Sequence, residues 1–210
     1  MKKPLVIGLI LLLFLTGCKS TNNPPVQYKP DDELVVLAHG LGRSDWAMRY
    51  FAQQLKRAHY KVCSLNYASL GQSVEAVFTQ TTTKINACIA NASKVHFVGH
   101  SLGGLVIRAY LQNNPRVFNG NTLVNVMLIG TPNKGSELAN HLNGSWLMHI
   151  AGGVSQSLIT GSKSLGNTIN ELDINLGVIA GTKASTLTQH YFKSKNDGLV
   201  SVESTKLRAC

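Results

Sequence analysis

One short stretch near the middle of the chain constrains the fold more than any other. A β-branched and aromatic run, Val95–Val98, leads into a Gly-x-Ser-x-Gly pattern, and apolar residues at helical spacing follow it. A strand, a sharp turn and a helix in this order form the setting in which that pattern presents a nucleophilic serine. The turn strains the backbone of Ser101, so the positions two residues before and after it must be small. Gly99 and Gly103 satisfy this requirement.

The rest of the chain alternates strand-like and helix-like segments. Apolar runs of strand length are typical of parallel strands that are buried on both faces. Leu34–Ala38 is such a run, and the other predicted strands are Tyr60–Leu65, Val95–Val98, Val124–Ile129 and Gly177–Gly181. Helical spacing marks 46–58 and 73–91, and Pro115 stops the helix that follows Ser101. The 210 residues therefore predict one α/β domain, residues 31–210, with a mainly parallel sheet and helices on both faces.

Three motifs resemble those of one enzyme superfamily. Gly99–Gly104 (Gly-His-Ser-Leu-Gly-Gly) is similar to the nucleophile turn of lipases and esterases with the α/β-hydrolase fold. His39–Gly42 (His-Gly-Leu-Gly), at the end of the first strand, resembles their oxyanion loop. Gly130–Ser136 (Gly-Thr-Pro-Asn-Lys-Gly-Ser) resembles a turn at the active-site rim of bacterial lipases. The resemblance implies that the amides of Leu41 and Leu102 hold the oxyanion, while His39 is structural.

The resemblance also implies the acid of a catalytic triad. Asn196–Val202 is similar to the Asp-Gly-x-Val segment that supplies this acid after the penultimate strand, which assigns the role to Asp197. After Ser101 the sequence holds few other acids: Glu137, Glu171, Asp173 and Glu203.

The base that the resemblance requires is missing from the expected place. In this superfamily the histidine follows the acid after one more strand, and here no histidine follows Asp197. One expectation is that the chain is a shortened lipase that lacks its last strand. The other is that an earlier histidine serves: His141, His149 or, best placed before Asp197, His190. His96 and His100, which flank the turn, are expected to be structural.

Residues 133–172 form a weakly patterned insertion, where related enzymes carry a cap or lid over the acyl chain. Its apolar residues are Trp146, Leu147, Met148 and Ile150. They are either the face of such a cap or ordinary helix packing.

The first thirty residues are predicted to form a targeting segment and a tether. Two lysines and an apolar run make residues 1–17 a signal peptide, because the run is too short for a typical membrane span. Leu15–Cys18 resembles the lipobox of bacterial lipoproteins, which implies a lipid on Cys18 followed by a tether at 18–30. Lys19 after the cysteine favours the outer membrane, facing the periplasm.

The net charge and the cysteines limit the kinds of partner that the sequence predicts. Removing Lys2 and Lys3 with the signal peptide lowers the net charge from +10 to +8. The basic residues are scattered, so nucleic-acid binding has no support, and they either favour anionic lipid or only solvate the surface. In an oxidising compartment Cys63 and Cys88 pair in a disulfide, or Cys63 is simply core. No pattern indicates a metal or a cofactor.

The predicted activity is hydrolysis of a carboxylic ester of a lipid or acyl group, with Ser101 as nucleophile. Two alternatives remain: an acyltransferase or deacylase of envelope lipids, and a membrane-anchored binding protein that keeps the fold without turnover. The sequence does not specify the oligomeric state.

Overall fold

A computed structural model describes residues 28–119, 123–145, 148 and 151–207. Its described strands form one parallel sheet of five strands in the order β2-β1-β3-β4-β5. The strands are β1 (Glu33–Ala38), β2 (Lys61–Ser64), β3 (Lys94–His100), β4 (Leu123–Ile129) and β5 (Leu176–Ile179). The predicted α/β architecture is confirmed, and each predicted strand matches the observed one to within two residues at either end.

Within the described residues, three longer helices and five short ones connect and follow the strands. The longer ones are α1 (Arg49–Arg57), α2 (Val74–Ile89) and α3 (Leu102–Asn113). The short ones are α4 (Arg116–Asn119), α5 (Glu137–Leu142), α6 (Gly153–Gln156), α7 (Leu165–Thr168) and α8 (Val202–Thr205). Within the described residues, none of the helices combines the length and the apolar character needed to cross a membrane.

Alternate residues of β1 face opposite sides of the sheet, which explains why its sequence is apolar throughout. Leu34 and Val36 belong to the larger core cluster, which includes residues of α2 and α3. Val35 and Leu37 belong to a second cluster that includes Ala52 of α1. Side chains alternate between faces along a strand, so this strand needs helices on both sides.

The helix predicted at 46–58 begins differently. Residues Asp45–Met48 form a 3-10 helix, in which the amide of Ala47 bonds to the carbonyl of Ser44, and the α-helix starts only at Arg49. Tight first turns of this kind are common at helix N-termini. The spacing of apolar residues does not distinguish the two helix types over a single turn.

The packed part of the chain starts before residue 31. The hydroxyl of Tyr28 donates to the carbonyl of Cys88 at 3.1 Å, and its ring packs against the larger core cluster. The end of the predicted tether is therefore held against the domain. The predicted signal peptide at 1–17 and the lipidated Cys18 lie outside the described residues.

A disulfide joins Cys63 of β2 to Cys88 of α2, with the two Cα atoms 6.1 Å apart. The bond closes a loop with a sequence separation of 25 residues. Loop-closure entropy predicts that it stabilises the fold by about 3.5 kcal/mol. The double variant Cys63→Ala/Cys88→Ala should lower the free energy of unfolding in urea by that amount. A reducing agent should have the same effect on the parent protein and none on the variant; equal stability of the two proteins would contradict the prediction.

Candidate active site

Ser101 lies in the turn between β3 and α3, at the carboxyl edge of the sheet. Its backbone has φ 53° and ψ −124°, a conformation that non-glycine residues rarely adopt. Its amide donates to the carbonyl of Ile129 at the end of β4, at 2.8 Å. Strain of this kind costs about 1–3 kcal/mol and persists only where the surrounding structure enforces it.

Neighbouring glycines make this turn possible. A Cβ atom at Gly99 would lie 2.5 Å from the amide nitrogen of Gly104. A Cβ atom at Gly103 would lie 2.2 Å from the carbonyl oxygen of Ala38 on β1. Neither distance is possible between real atoms, so α3 packs closely on the sheet only because both positions lack a side chain.

Two backbone N–H groups stand at the same end of the sheet. Leu102 is the first residue of α3, so its N–H has no acceptor within the helix. Leu41 follows β1, and among the described residues no acceptor bonds its N–H. The two segments are adjacent, because a Cβ atom at Gly40 would lie 3.2 Å from the Cβ of Ser101. The loop at Gly40 thus lies against the serine.

Buried contacts hold this loop in place. His39 is 0% exposed, its ring stacks on Tyr67 with centroids 4.0 Å apart, and its Nδ1 bonds to the carbonyl of Gly40. The Tyr67 hydroxyl donates to the carbonyl of His39 at 2.5 Å. Burial lowers the pKa of His39, which keeps its imidazole neutral. Gly42 takes φ 65°, and its amide donates to the hydroxyl of Ser69.

Asp197 follows β5 and lies beside the end of β4. Its Oδ1 accepts the amides of Leu199 and Val200 at 2.9 and 2.8 Å. Its Oδ2 would be 3.3 Å from a Cβ atom at Gly130, the residue after β4. Among the described residues, no donor bonds to Oδ2. The carboxylate is therefore anchored through one oxygen, while the other can accept a further hydrogen bond.

No described contact places a predicted base against Ser101. His190, in the 3-10 helix Gln189–Tyr191, is exposed and contacts the ring of Tyr191, which also contacts His141. Neither histidine is among the described residues that line the pocket at Ser101. His149 lies outside the described residues. The role of His190 as the catalytic base stays a prediction.

His100, the last residue of β3, does line the pocket. Its Nδ1 and the Cβ of Ser101 each lie 3.2 Å from the point where a Cβ of Gly40 would stand. Burial lowers the pKa of His100, and the nearby carboxylate of Asp197 partly opposes this. The sequence predicted a structural role for His100. The signal for its place on the pocket wall was its position at the carboxyl end of a parallel strand.

The pocket at Ser101 has a volume of about 290 Å³. Its lining is mainly apolar and comes from the loop after β1, the predicted insertion and the loop after Asp197. The lining residues include Leu41, Pro132, Leu138, Ala139, Leu142, Met148, Leu158, Leu199 and Val200. Of the four apolar residues named in the predicted insertion, Met148 lines the pocket. The other three, Trp146, Leu147 and Ile150, lie outside the described residues.

The Gly-Thr-Pro turn ties the insertion to the sheet. Arg108, buried in α3, donates to Oδ1 of Asn133 and to the carbonyls of Gly166 and Ile169. The hydroxyl of Ser136 donates to the carbonyl of Leu199 at 2.6 Å. These bonds fix the insertion over the end of the sheet where Ser101 lies. Among the described residues, no group of three His, Cys, Asp or Glu side chains is placed to hold a metal.

One protein-family model matches most of the chain. Residues 34–197 match the family model described as palmitoyl protein thioesterase. A lipase of Bacillus licheniformis in its mature form superposes with a TM-score of 0.71 and 21% identity, over 89% of this chain and 84% of the lipase. No curated protein matches the sequence.

Two further solved structures share the fold. A metagenomic carboxyl esterase aligns with a TM-score of 0.61 and 15% identity, over 89% of this chain and 64% of the esterase. A phospholipase of Legionella pneumophila, solved with thio-NAD, aligns with a TM-score of 0.61 and 18% identity, over 83% of this chain and 44% of the phospholipase. The predicted α/β-hydrolase fold is confirmed.

Proposed function

Because the chain belongs to the palmitoyl protein thioesterase family, we propose that it hydrolyses esters or thioesters of acyl chains through a covalent intermediate on Ser101. The observation that carries the proposal is the strained Ser101 in an apolar pocket, with two backbone N–H groups beside it. The neighbours named as lipase, carboxyl esterase and phospholipase support the same class of reaction.

In the proposed reaction, the Ser101 hydroxyl attacks the carbonyl carbon of the acyl group and an imidazole takes its proton. The N–H groups of Leu41 and Leu102 donate to the oxygen that becomes negative. The alcohol or thiol leaves with that proton. Water then attacks the carbonyl carbon of the acyl-serine and gives a proton to the imidazole; the bond between that carbon and Ser101 Oγ breaks, the carboxylic acid leaves, and the proton passes to Ser101.

In the proposed site, the carboxylate of Asp197 accepts a hydrogen bond from the imidazole. A carboxylate in this position orients the ring and stabilises the imidazolium that forms during attack. The Oδ2 atom of Asp197 is placed to accept an N–H, whereas Oδ1 is engaged by two amides. Within the described residues, no histidine bonds to this carboxylate. The proposed reaction therefore needs an imidazole that donates to Oδ2 of Asp197. That imidazole can come from a histidine of the chain or from the solution.

Added imidazole is expected to raise the Ser101-dependent hydrolysis of a p-nitrophenyl ester by the 210-residue chain, with saturation. The free base enters beside Asp197 and accepts the serine proton. Asp197→Asn should abolish this saturable rescue, because an amide no longer accepts the imidazole N–H in the required orientation. The rate is measured against Ser101→Ala, which reports the hydrolysis by imidazole alone.

Single histidine variants complete the experiment. If His100→Ala removes a rate that needs no imidazole, while His141→Ala and His190→Ala do not, His100 is the base. If His190→Ala removes it, the sequence prediction holds. No Ser101-dependent rate, with or without imidazole, would contradict the proposed function and favour a binding protein.

The pocket volume predicts the preferred acyl chain. A methylene group is close in size to a water molecule, which takes about 30 Å³ in the liquid, so about 290 Å³ holds roughly ten carbon atoms. We expect kcat/KM to rise about fourfold per methylene up to that length and then to level off. A series of p-nitrophenyl esters from butyrate to palmitate measures this.

A variant inside the pocket sharpens the test. Leu142 lines the pocket, and Leu142→Trp should move the optimum to shorter chains while butyrate is hydrolysed as before. Leu187→Trp, at an exposed position outside the pocket lining, is the matched control. A rate that keeps rising to palmitate would show that the described pocket does not limit the chain.

A further inference from the structure

The outward side of the segment 43–57 exposes large aromatic side chains. Trp46 is 69% exposed and Tyr50 is 74% exposed. The opposite side of this segment packs on the sheet through Met48, Ala52 and Leu55. The two aromatic rings therefore contribute little to the core, and the fold alone does not explain them.

Cationic side chains lie on the same segment as these rings. Arg43, Arg49 and Arg57 are exposed, and the guanidinium carbon of Arg49 lies 5.1 Å from the centre of the Trp46 ring. None of the salt bridges between described residues involves these arginines. Asp45 is the one acid in residues 43–57, so this surface is basic. We call Arg43, Trp46, Arg49, Tyr50 and Arg57 the α1 face.

The α1 face continues into the rim of the pocket. Arg43 lines the pocket, and Trp46 lies three residues further on, a span of at most about 11 Å. Leu70, 53% exposed, packs against Gly42 in the oxyanion loop. Leu199, 59% exposed, belongs to the pocket lining. Exposed apolar groups thus extend from the α1 face to the pocket entrance.

We propose that the α1 face docks on a membrane surface that carries anionic lipid headgroups. Tryptophan and tyrosine favour the boundary between headgroups and acyl chains, and exposed arginines are attracted to anionic headgroups. Docking in this orientation brings the pocket rim to the lipid. The surface acts whether or not Ser101 turns over, so binding is tested separately from the proposed function.

Trp46 itself reports the contact. The sequence has two tryptophans, so Trp146→Phe leaves Trp46 as the single emitter, and Ser101→Ala in the same full chain prevents turnover. Vesicles of equal parts phosphatidylcholine and phosphatidylglycerol should shift the Trp46 emission to the blue, and brominated lipid should quench it. Vesicles of phosphatidylcholine alone should have a much smaller effect, and added salt should weaken the binding. A lipid anchor elsewhere in the chain would not by itself change the emission of Trp46.

Charge reversal identifies the surface. Arg49→Glu/Arg57→Glu should weaken partition into the anionic vesicles at least about 25-fold, since each basic residue near such a surface strengthens binding about fivefold. Lys84→Glu/Lys163→Glu changes the net charge equally at exposed positions elsewhere and should have little effect. The proposal would be overturned if anionic vesicles left the Trp46 emission unchanged, or if both double variants lost the same amount of vesicle binding. It would also be overturned if the blue shift appeared without vesicles, on self-association of the protein.

Discussion

Ser101→Ala is expected to lower the esterase rate, measured with imidazole present, at least about a thousandfold. The hydroxyl is the only group in the proposed reaction that becomes bonded to the acyl carbon. What remains without it is the contribution of the oxyanion donors and of substrate binding. The fold should be unaffected, because alanine keeps the Cβ atom and the elbow conformation at φ 53° is already that of a non-glycine residue.

A second serine provides the matched control. Ser155 lines the same pocket, is 2% exposed, and donates its hydroxyl to the carbonyl of Ala151. Ser155→Ala should retain most of the rate, because that hydroxyl is engaged by the backbone carbonyl of Ala151. If Ser101→Ala kept a rate close to that of the parent, or if the two variants lost activity equally, Ser101 would not be the nucleophile.

Arg108→Ala is expected to lower the free energy of unfolding by about 4 kcal/mol. The guanidinium of Arg108 is 3% exposed and bonds Oδ1 of Asn133 and the carbonyls of Gly166 and Ile169, at 2.8 to 3.1 Å. Burial lowers the pKa of Arg108 to about 10, and Glu171 partly opposes this, so the group stays charged at neutral pH. Its removal leaves buried acceptors without a donor.

Urea titration of the free energy of unfolding measures this effect. Arg116→Ala, at an exposed position just beyond α3, should change it by no more than about 0.5 kcal/mol. Arg108→Lys should recover only part of the stability, because one ammonium group does not match the planar fork of a guanidinium. A loss in Arg108→Ala no larger than in Arg116→Ala would contradict the account of the insertion.

The sheet was predictable because its strands carry a signal in their own residues. β1 is the clearest case, because Leu34–Ala38 is apolar throughout and is buried on both faces, as its two core clusters show. The elbow was predictable for a related reason. The close approaches at Gly99 and Gly103 leave no room for a side chain, so the turn requires glycine at both positions and the sequence shows it.

The insertion and Arg108 were not predictable in the same way. Arg108 stands among apolar residues of α3, and its acceptors at Gly166 and Ile169 lie far along the chain. Only the folded backbone brings these carbonyls to it. His100 carried a partial signal, its position at the carboxyl end of a parallel strand, but the sequence does not show that its ring lines the pocket.

Covalent labelling of Ser101 tests the central proposal most directly. The full chain and Ser101→Ala are treated with a fluorophosphonate probe, with and without imidazole, and the labelled residue is located by mass spectrometry of the peptides. The account predicts labelling on Ser101 that imidazole accelerates and that vanishes in the alanine variant. Folded protein that stays unlabelled at every imidazole concentration, or labelling that persists in Ser101→Ala, would contradict it.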